Sequence, residues 1–109
     1  MKLYLDFKPR LGIILYVMKI NTIKDFENCL ASLGYTEDGG YPIYFITADG
    51  GCLSFTSAVE NAERIKYEIE NGDFLGWRVI ASDVNWGYGL YCDHSGEKIK
   101  SANGEQELG

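Results

Sequence analysis

The chain has 109 residues, of which 46% are hydrophobic and 14% aromatic, and its sixteen acidic and ten basic side chains give a net charge of −6. This length and composition predict one folded domain, residues 1–109, rather than a disordered chain. The excess negative charge argues against free nucleic acid or an anionic membrane as a direct ligand, because both require a positive surface, and favours a positively charged protein partner.

The three cysteines, Cys29, Cys52 and Cys92, are odd in number and widely spaced. Small secreted proteins have dense, paired cysteines, so we expect this protein in the reducing cytoplasm of the host cell. The longest apolar run, Leu11–Met18, is much shorter than the roughly 20 residues of a membrane-spanning helix. No small-residue cleavage site follows that run, so a secretory signal peptide is not expected.

The two ends of the chain differ from the middle. Residues 1–17 hold three basic side chains and one acidic side chain, whereas the 92 residues from Met18 onward hold seven basic and fifteen acidic ones, a net charge of −8. Two interpretations stay open for residues 1–17: an N-terminal extension to a protein that begins at Met18, or an additional N-terminal strand. Residues 103–109 are expected to form a flexible tail.

A first helix is predicted to follow Asn21. Thr22 can cap its N-terminus, Asp25 places a negative charge in the first turn, and Gly34 can adopt the left-handed conformation that ends a helix. Apolar side chains at helical spacing predict its buried face: Ile23, Phe26, Leu30 and Leu33.

A second helix is predicted over Ser57–Gly72. Ser57 and Glu60 fit a capping box, and Gly72 can end the helix. Its predicted buried face consists of Val59, Ala62, Ile65 and Ile69. The opposite face then carries Glu60, Glu63, Tyr67 and Glu70.

Runs of β-forming residues predict the strands. Asp49-Gly50-Gly51 predicts a tight turn between strands at about Ile43–Thr47 and Cys52–Thr56, because glycine supplies the positive φ of a hairpin turn. A further strand is predicted over Trp77–Asn85, and two short strands are predicted to enclose the sequence "DHSG". The expected fold is α+β, with an antiparallel sheet of about five strands and two helices packed on one face.

The segment "YCDHSGEKI" contains Cys92 and the single histidine, His94, and it has three interpretations. A structural zinc site needs four strong ligands, and no second ligand pair exists, so no metal and no cofactor are expected. A Cys–His pair can act as a nucleophile, but a strand offers no helix N-terminus to lower the pKa of the thiol. A buried strand cysteine followed by a turn is the favoured interpretation, and no catalytic residue is predicted.

The acidic face of the second helix is the stronger candidate for a binding surface. Spaced carboxylates can face a basic groove, and tyrosine is enriched at binding hot spots. The alternative is a solubilising face in which Glu60 pairs with Arg64. Trp86 and Tyr88 are flanked by glycine and could add exposed contacts. The predicted partner-binding residues are Glu60, Glu63, Tyr67, Glu70, Asp73, Trp86 and Tyr88.

The segment "NWGYGLYCDHSGEKIKSA", Asn85–Ala102, resembles the C-terminal part of small accessory proteins carried by phages and plasmids, and it covers about a sixth of the chain. Short acidic proteins of such elements are similar in size and charge to anti-CRISPR and anti-restriction inhibitors, some of which occupy the nucleic-acid groove of their target. The resemblance implies a non-enzymatic inhibitor of a basic nucleic-acid-handling protein such as a Cas nuclease. The alternatives are a small cysteine-dependent enzyme that uses Cys92 and His94, and a metal-stabilised adaptor.

Overall fold

The structure is a five-stranded antiparallel sheet combined with three helices. The computed structural model describes residues 2–8, 13–36, 40–72 and 76–103. The strands are β1 (Lys2–Lys8), β2 (Ile13–Lys19), β3 (Ile43–Thr47), β4 (Cys52–Leu53) and β5 (Val79–Val84). The helices are α1 (Ile23–Ala31), α2 (Phe55–Glu60) and α3 (Ala62–Asn71). The sheet order is β1-β2-β5-β3-β4, and each neighbouring pair is antiparallel, so the predicted α+β class is confirmed.

The core lies between the helices and one face of the sheet. Phe45 of β3 is fully buried, and its ring centroid lies 5.5 Å from that of Phe26 in α1 and 6.2 Å from that of Phe55 in α2. Ile65 and Ile69 of α3 belong to the same buried cluster. Because one β3 side chain contacts two helices, burial of this face fixes the position of the helices on the sheet.

The start of α1 follows its sequence prediction. The Thr22 hydroxyl accepts a hydrogen bond from the Asp25 amide at 3.1 Å, and the Asp25 carboxylate accepts one from the Thr22 amide at 3.2 Å. This reciprocal pair is a capping box, which satisfies two amides that have no partner inside the helix. The amide of Asn21 also donates to the Asp25 carboxylate and lowers its pKa.

The predicted second helix is two helices, and its predicted start was wrong. Ser54 caps α2 by accepting a hydrogen bond from the Ser57 amide at 3.1 Å, so the helix begins two residues before Ser57. The chain leaves helical geometry at Asn61, where φ is −117° and ψ is 26°, and the Asn61 side-chain amide donates to the Ser57 carbonyl. As a result Val59, predicted to be buried, is 48% exposed.

The strands after β3 also differ from their predictions. Strand β4 covers only Cys52–Leu53, because α2 begins where the predicted strand would continue. The two strands predicted around "DHSG" are a single isolated bridge between Tyr91 and Lys98. The predicted strands at Ile43–Thr47 and Trp77–Asn85 are confirmed, the second with one or two residues fewer at each end.

The N-terminal residues add a hairpin of two strands to the sheet. β1 pairs with β2 along its whole length, and the last three residues of β2, Val17–Lys19, pair with Ala81–Asp83 of β5. The predicted tail lies outside the described residues, except for residue 103. No helix among the described residues is long and apolar enough to cross a membrane.

Candidate functional site

The outward face of α3 carries most of the predicted binding residues. The side chain of Glu63 is 92% exposed and Tyr67 is 65% exposed, whereas Ile65 and Ile69 on the opposite face are buried. Glu70 is exposed on the same side of α3, and Glu60 is exposed at the end of α2. Together these four residues, Glu60, Glu63, Tyr67 and Glu70, form the acidic helix face. The break at Asn61 places Glu60 in a different helix from the other three.

Two cations lie beside the acidic helix face, and one of them, Lys66, pairs with its residue Glu63. Lys66 Nζ lies 3.1 Å from Glu27 Oε2 and 3.6 Å from Glu63 Oε2, and its pKa is raised chiefly by the Glu27 carboxylate. Arg64 does not make the predicted pair with Glu60. Its Nε lies 3.9 Å from Glu68 Oε2, and its guanidinium carbon lies 5.5 Å from the centre of the Trp77 ring.

The other predicted binding residues lie elsewhere in the structure. Trp86 is half-buried, its ring centroid lies 4.9 Å from that of Tyr41, and its carbonyl accepts a hydrogen bond from the Asn103 side chain. Tyr88 is 51% exposed in the turn that follows β5. Asp73 lies outside the described residues. Glu63 and Glu70 therefore share one face of α3 with Tyr67, and Glu60 is exposed at the end of the preceding helix, while the two aromatics after β5 belong to a different segment.

Cys92 and His94 have different neighbours, so they do not form a catalytic pair in this structure. Cys92 is 2% exposed, and its Sγ lies 3.4 Å from Ser57 Oγ. The His94 ring instead packs against Trp77, with 4.9 Å between ring centroids. The tight turn at residues 93–95 separates the two side chains.

The expectation that no helix start lies near Cys92 was wrong. Burial raises the pKa of this thiol, but hydrogen bonds from Ser57, Ser95 and the backbone of Ser54 outweigh that effect and lower the pKa to about 6. Ser54 and Ser57 belong to the cap and first turn of α2, where amides favour a negative charge. With this pKa, hydrogen bonds to a Cys92 thiolate are charge-assisted, and they would join the C-terminal segment to the start of α2.

A backbone connection across the sheet edge brings Cys92 to α2. The Asp93 amide donates to the Cys52 carbonyl at 2.9 Å, and the Cys52 amide donates to the Asp93 carboxylate at 3.0 Å. These two bonds satisfy the Cys52 backbone groups at the edge of β4, which is the edge of the sheet. The segment that contains Cys92 is therefore fixed to the start of α2.

The other thiols lie in separate surroundings. Cys29 Sγ lies 3.8 Å from Ser82 Oγ, and Cys52 Sγ lies 3.0 Å from the Tyr91 carbonyl. Burial raises the pKa of both thiols, which keeps them protonated near neutral pH. Within the described ranges, no group of three or more histidine, cysteine, aspartate or glutamate side chains is arranged to hold a metal ion.

Sequence reasoning missed a buried acid, Glu68. This residue is only 4% exposed, and its Oε1 has no hydrogen-bond partner among the described residues. Helical spacing from Ile65 could have indicated its burial, since Glu68 is three residues further along the same face.

Comparisons with protein-family models, curated protein sequences and solved structures find no match to this chain. The function is therefore argued from the residues.

Proposed function

We propose that the protein is a non-enzymatic binding protein that docks its acidic helix face on a basic surface of a nucleic-acid-handling protein. The observation that carries the proposal is the position of Tyr67, which is 65% exposed on α3 between the exposed carboxylates of Glu63 and Glu70. An exposed aromatic side chain with a carboxylate on either side fits a protein interface, where a hydrophobic centre is desolvated and charged groups form the edge.

The charge of the whole chain supports a basic partner. The net charge of −6 attracts a positive surface over long distances and repels nucleic acid. A groove that binds nucleic acid is lined with lysine and arginine, and spaced carboxylates can occupy the positions of phosphates. The inhibitor class inferred from the C-terminal resemblance, with a Cas or restriction nuclease as target, is the most specific form of this proposal.

The contacts of Cys92 weigh against the alternative of a cysteine-dependent enzyme. A nucleophile must reach its substrate and have a base at hydrogen-bond distance. Cys92 is 2% exposed and contacts serine side chains, while His94 contacts Trp77. The binding interpretation requires no buried group to react.

The proposal is tested by measuring association with a basic partner. Candidate partners are isolated from a nuclease-treated host lysate, identified, purified and then studied by surface plasmon resonance at several salt concentrations. Reversing two charges in Glu63→Lys/Glu70→Lys should slow association about tenfold, because steering depends on the local potential. Tyr67→Ala should instead speed dissociation, by about thirtyfold if Tyr67 is a hot spot.

A matched control separates a specific surface from total charge. The variant Glu105→Lys/Glu107→Lys changes the net charge by the same amount at another place in the sequence. Association that is independent of salt would contradict the proposal, as would equal slowing by both double variants. Retained affinity in Tyr67→Ala would show that the tyrosine is not a contact.

A further inference from the structure

A cleft of about 260 Å³ lies on a different part of the molecule. It is bordered by the turn after α1, the start of β3, the start of α2 and the segment Glu97–Lys100. Apolar and cationic side chains share its lining, among them Leu33, Tyr35, Ile43, Phe55, Lys98 and Lys100. Small-molecule sites usually have volumes of roughly 300–1,000 Å³, so this cleft suits a side chain or two of a peptide better than a whole cofactor.

Gly34 shapes the apolar side of the cleft. A Cβ at this position would lie 3.2 Å from the Phe55 ring, so only glycine allows the ring to pack this closely against the backbone. The Gly34 carbonyl accepts a hydrogen bond from the Ile43 amide at 2.9 Å, which fixes the turn to the start of β3. The cleft is thus supported by a backbone hydrogen bond between the turn and β3 and by the packing of the Phe55 ring of α2 against Gly34.

Leu33 combines two uncommon properties at this cleft. Leu33 was predicted to lie on the buried face of the first helix, and that prediction was wrong: it is 77% exposed, the highest exposure among the exposed large hydrophobic residues described from Met18 onward, and its φ is +60°. The left-handed conformation favours glycine or asparagine, so a leucine there is not explained by backbone preference. The left-handed conformation ends α1, because Leu33 directly follows the C-cap Ser32 and its amide donates to the Leu30 carbonyl at 3.1 Å. The exposure of its side chain does not benefit the isolated fold, whereas it would serve a ligand that covers the side chain.

A cation is held next to this apolar surface. Lys100 Nζ lies 3.5 Å from the Tyr35 hydroxyl and 5.9 Å from the centre of the Tyr35 ring. Only seven basic residues occur from Met18 onward, and two of them, Lys98 and Lys100, line this cleft. The exposed Glu97 also lines it and limits the number of carboxylates that can enter.

We propose that this cleft binds a short peptide segment of a partner protein in which an aliphatic or aromatic side chain lies next to a carboxylate. The apolar side chain covers Leu33 and packs toward Phe55, and the carboxylate accepts a charge-assisted hydrogen bond from Lys100 Nζ. The cleft presents lysine side chains, whereas the acidic helix face presents carboxylates. The cleft is therefore a second and independent binding site.

The test uses a phage-displayed library of random twelve-residue peptides, selected against the purified protein. We expect enriched peptides to share a leucine, phenylalanine or tyrosine next to aspartate or glutamate. Synthetic copies are then titrated by fluorescence anisotropy against three variants. Leu33→Asn preserves the left-handed backbone while removing the apolar side chain. Lys100→Glu reverses the charge in the cleft, and Lys24→Glu reverses that of another exposed lysine as a control.

The expected result is an increase in Kd of at least about tenfold for Leu33→Asn and Lys100→Glu, and less than about twofold for Lys24→Glu. Amide chemical shifts of the native protein should change at residues 33–35 and 97–100 on peptide addition. No enrichment, equal loss with Lys24→Glu, or shifts confined to α3 would overturn the proposal. Enrichment of basic peptides sensitive to Glu63→Lys/Glu70→Lys would support the acidic helix face alone.

Discussion

The lowered pKa of Cys92 makes a specific prediction about stability and pH. The thiol has an ordinary pKa of 9.0; in the fold burial raises it, but hydrogen bonds that the sulfur accepts from Ser57, Ser95 and the backbone of Ser54 outweigh burial and lower the pKa to about 6. The folded protein therefore holds a thiolate where the unfolded chain holds a protonated thiol. By linkage, the resulting stabilisation is fully present above pH 9, decreases as the pH falls below 9, and is lost at about pH 6.

The magnitude follows from the difference between the two pKa values. One pKa unit corresponds to about 1.4 kcal/mol. The neighbouring turn residues Asp93, His94 and Ser95 are exposed, so water screens part of the interaction. We therefore expect the stabilisation by Cys92 to increase by only about 1–2 kcal/mol between pH 6 and pH 9. This increase is well below that of a group fully shielded from water.

The assay compares the native protein with Cys92→Ser by urea unfolding at several pH values between 6 and 8.5, under reducing conditions. Serine keeps the size of the side chain but does not ionise in this range, so the stability difference between the two proteins should grow with pH. Cys29 and Cys52 are common to both proteins, and their raised pKa values keep them protonated in the fold over this range. A difference that stays constant with pH would refute the thiolate. Alkylation of native Cys92 should be slow despite its ionisation, because the thiol is buried.

Two further substitutions test packing and buried charge. Gly51→Ala should lower the free energy of unfolding by about 1–3 kcal/mol, because its Cβ would overlap the Asp93 carboxylate; Gly87→Ala, which meets open space, is the matched control. Urea denaturation measures the free energy of unfolding of both variants. An equal loss in Gly51→Ala and Gly87→Ala would contradict the overlap with the Asp93 carboxylate. Glu68→Gln should leave stability unchanged or raise it by up to about 1 kcal/mol, since it removes a buried charge with an unsatisfied oxygen. As a control, Glu70→Gln, at an exposed position, should change the free energy of unfolding by no more than about 0.5 kcal/mol. A clear loss of stability in Glu68→Gln alone would show that the buried charge is stabilising.

Local signals were sufficient for the elements whose ends are determined by neighbouring residues. The capping box of α1 lies within four residues of sequence, and β3 was located by a turn and a run of β-forming residues. The start of α2 was mistaken because two serines compete as caps. Ser57 has the better capping-box sequence, but Ser54 directly follows the last residue of β4, Leu53. That choice depends on the sheet and is not visible in a local pattern.

The candidate site was only partly predictable for a similar reason. Helical periodicity correctly placed Glu63, Tyr67 and Glu70 on the exposed side of α3. The surroundings of Cys92 depend on a contact with Ser57, 35 residues earlier in the chain. The Lys100 cleft likewise requires Tyr35 and Lys100 to meet across 65 residues. Sequence spacing indicates which residues share an element, but it does not indicate which elements meet.

The two proposed surfaces should respond to salt in opposite ways. A basic partner is attracted by the net charge of −6, so association at the acidic helix face should slow as salt screens that field. A peptide that carries a carboxylate is repelled by the same field until it reaches Lys100, so moderate salt should leave its binding unchanged or strengthen it. The Debye length at physiological salt is about 8 Å, longer than the contact distance in the cleft, so the local attraction persists while the distant repulsion is screened. The sign of the salt dependence therefore identifies which of the two surfaces a given ligand occupies.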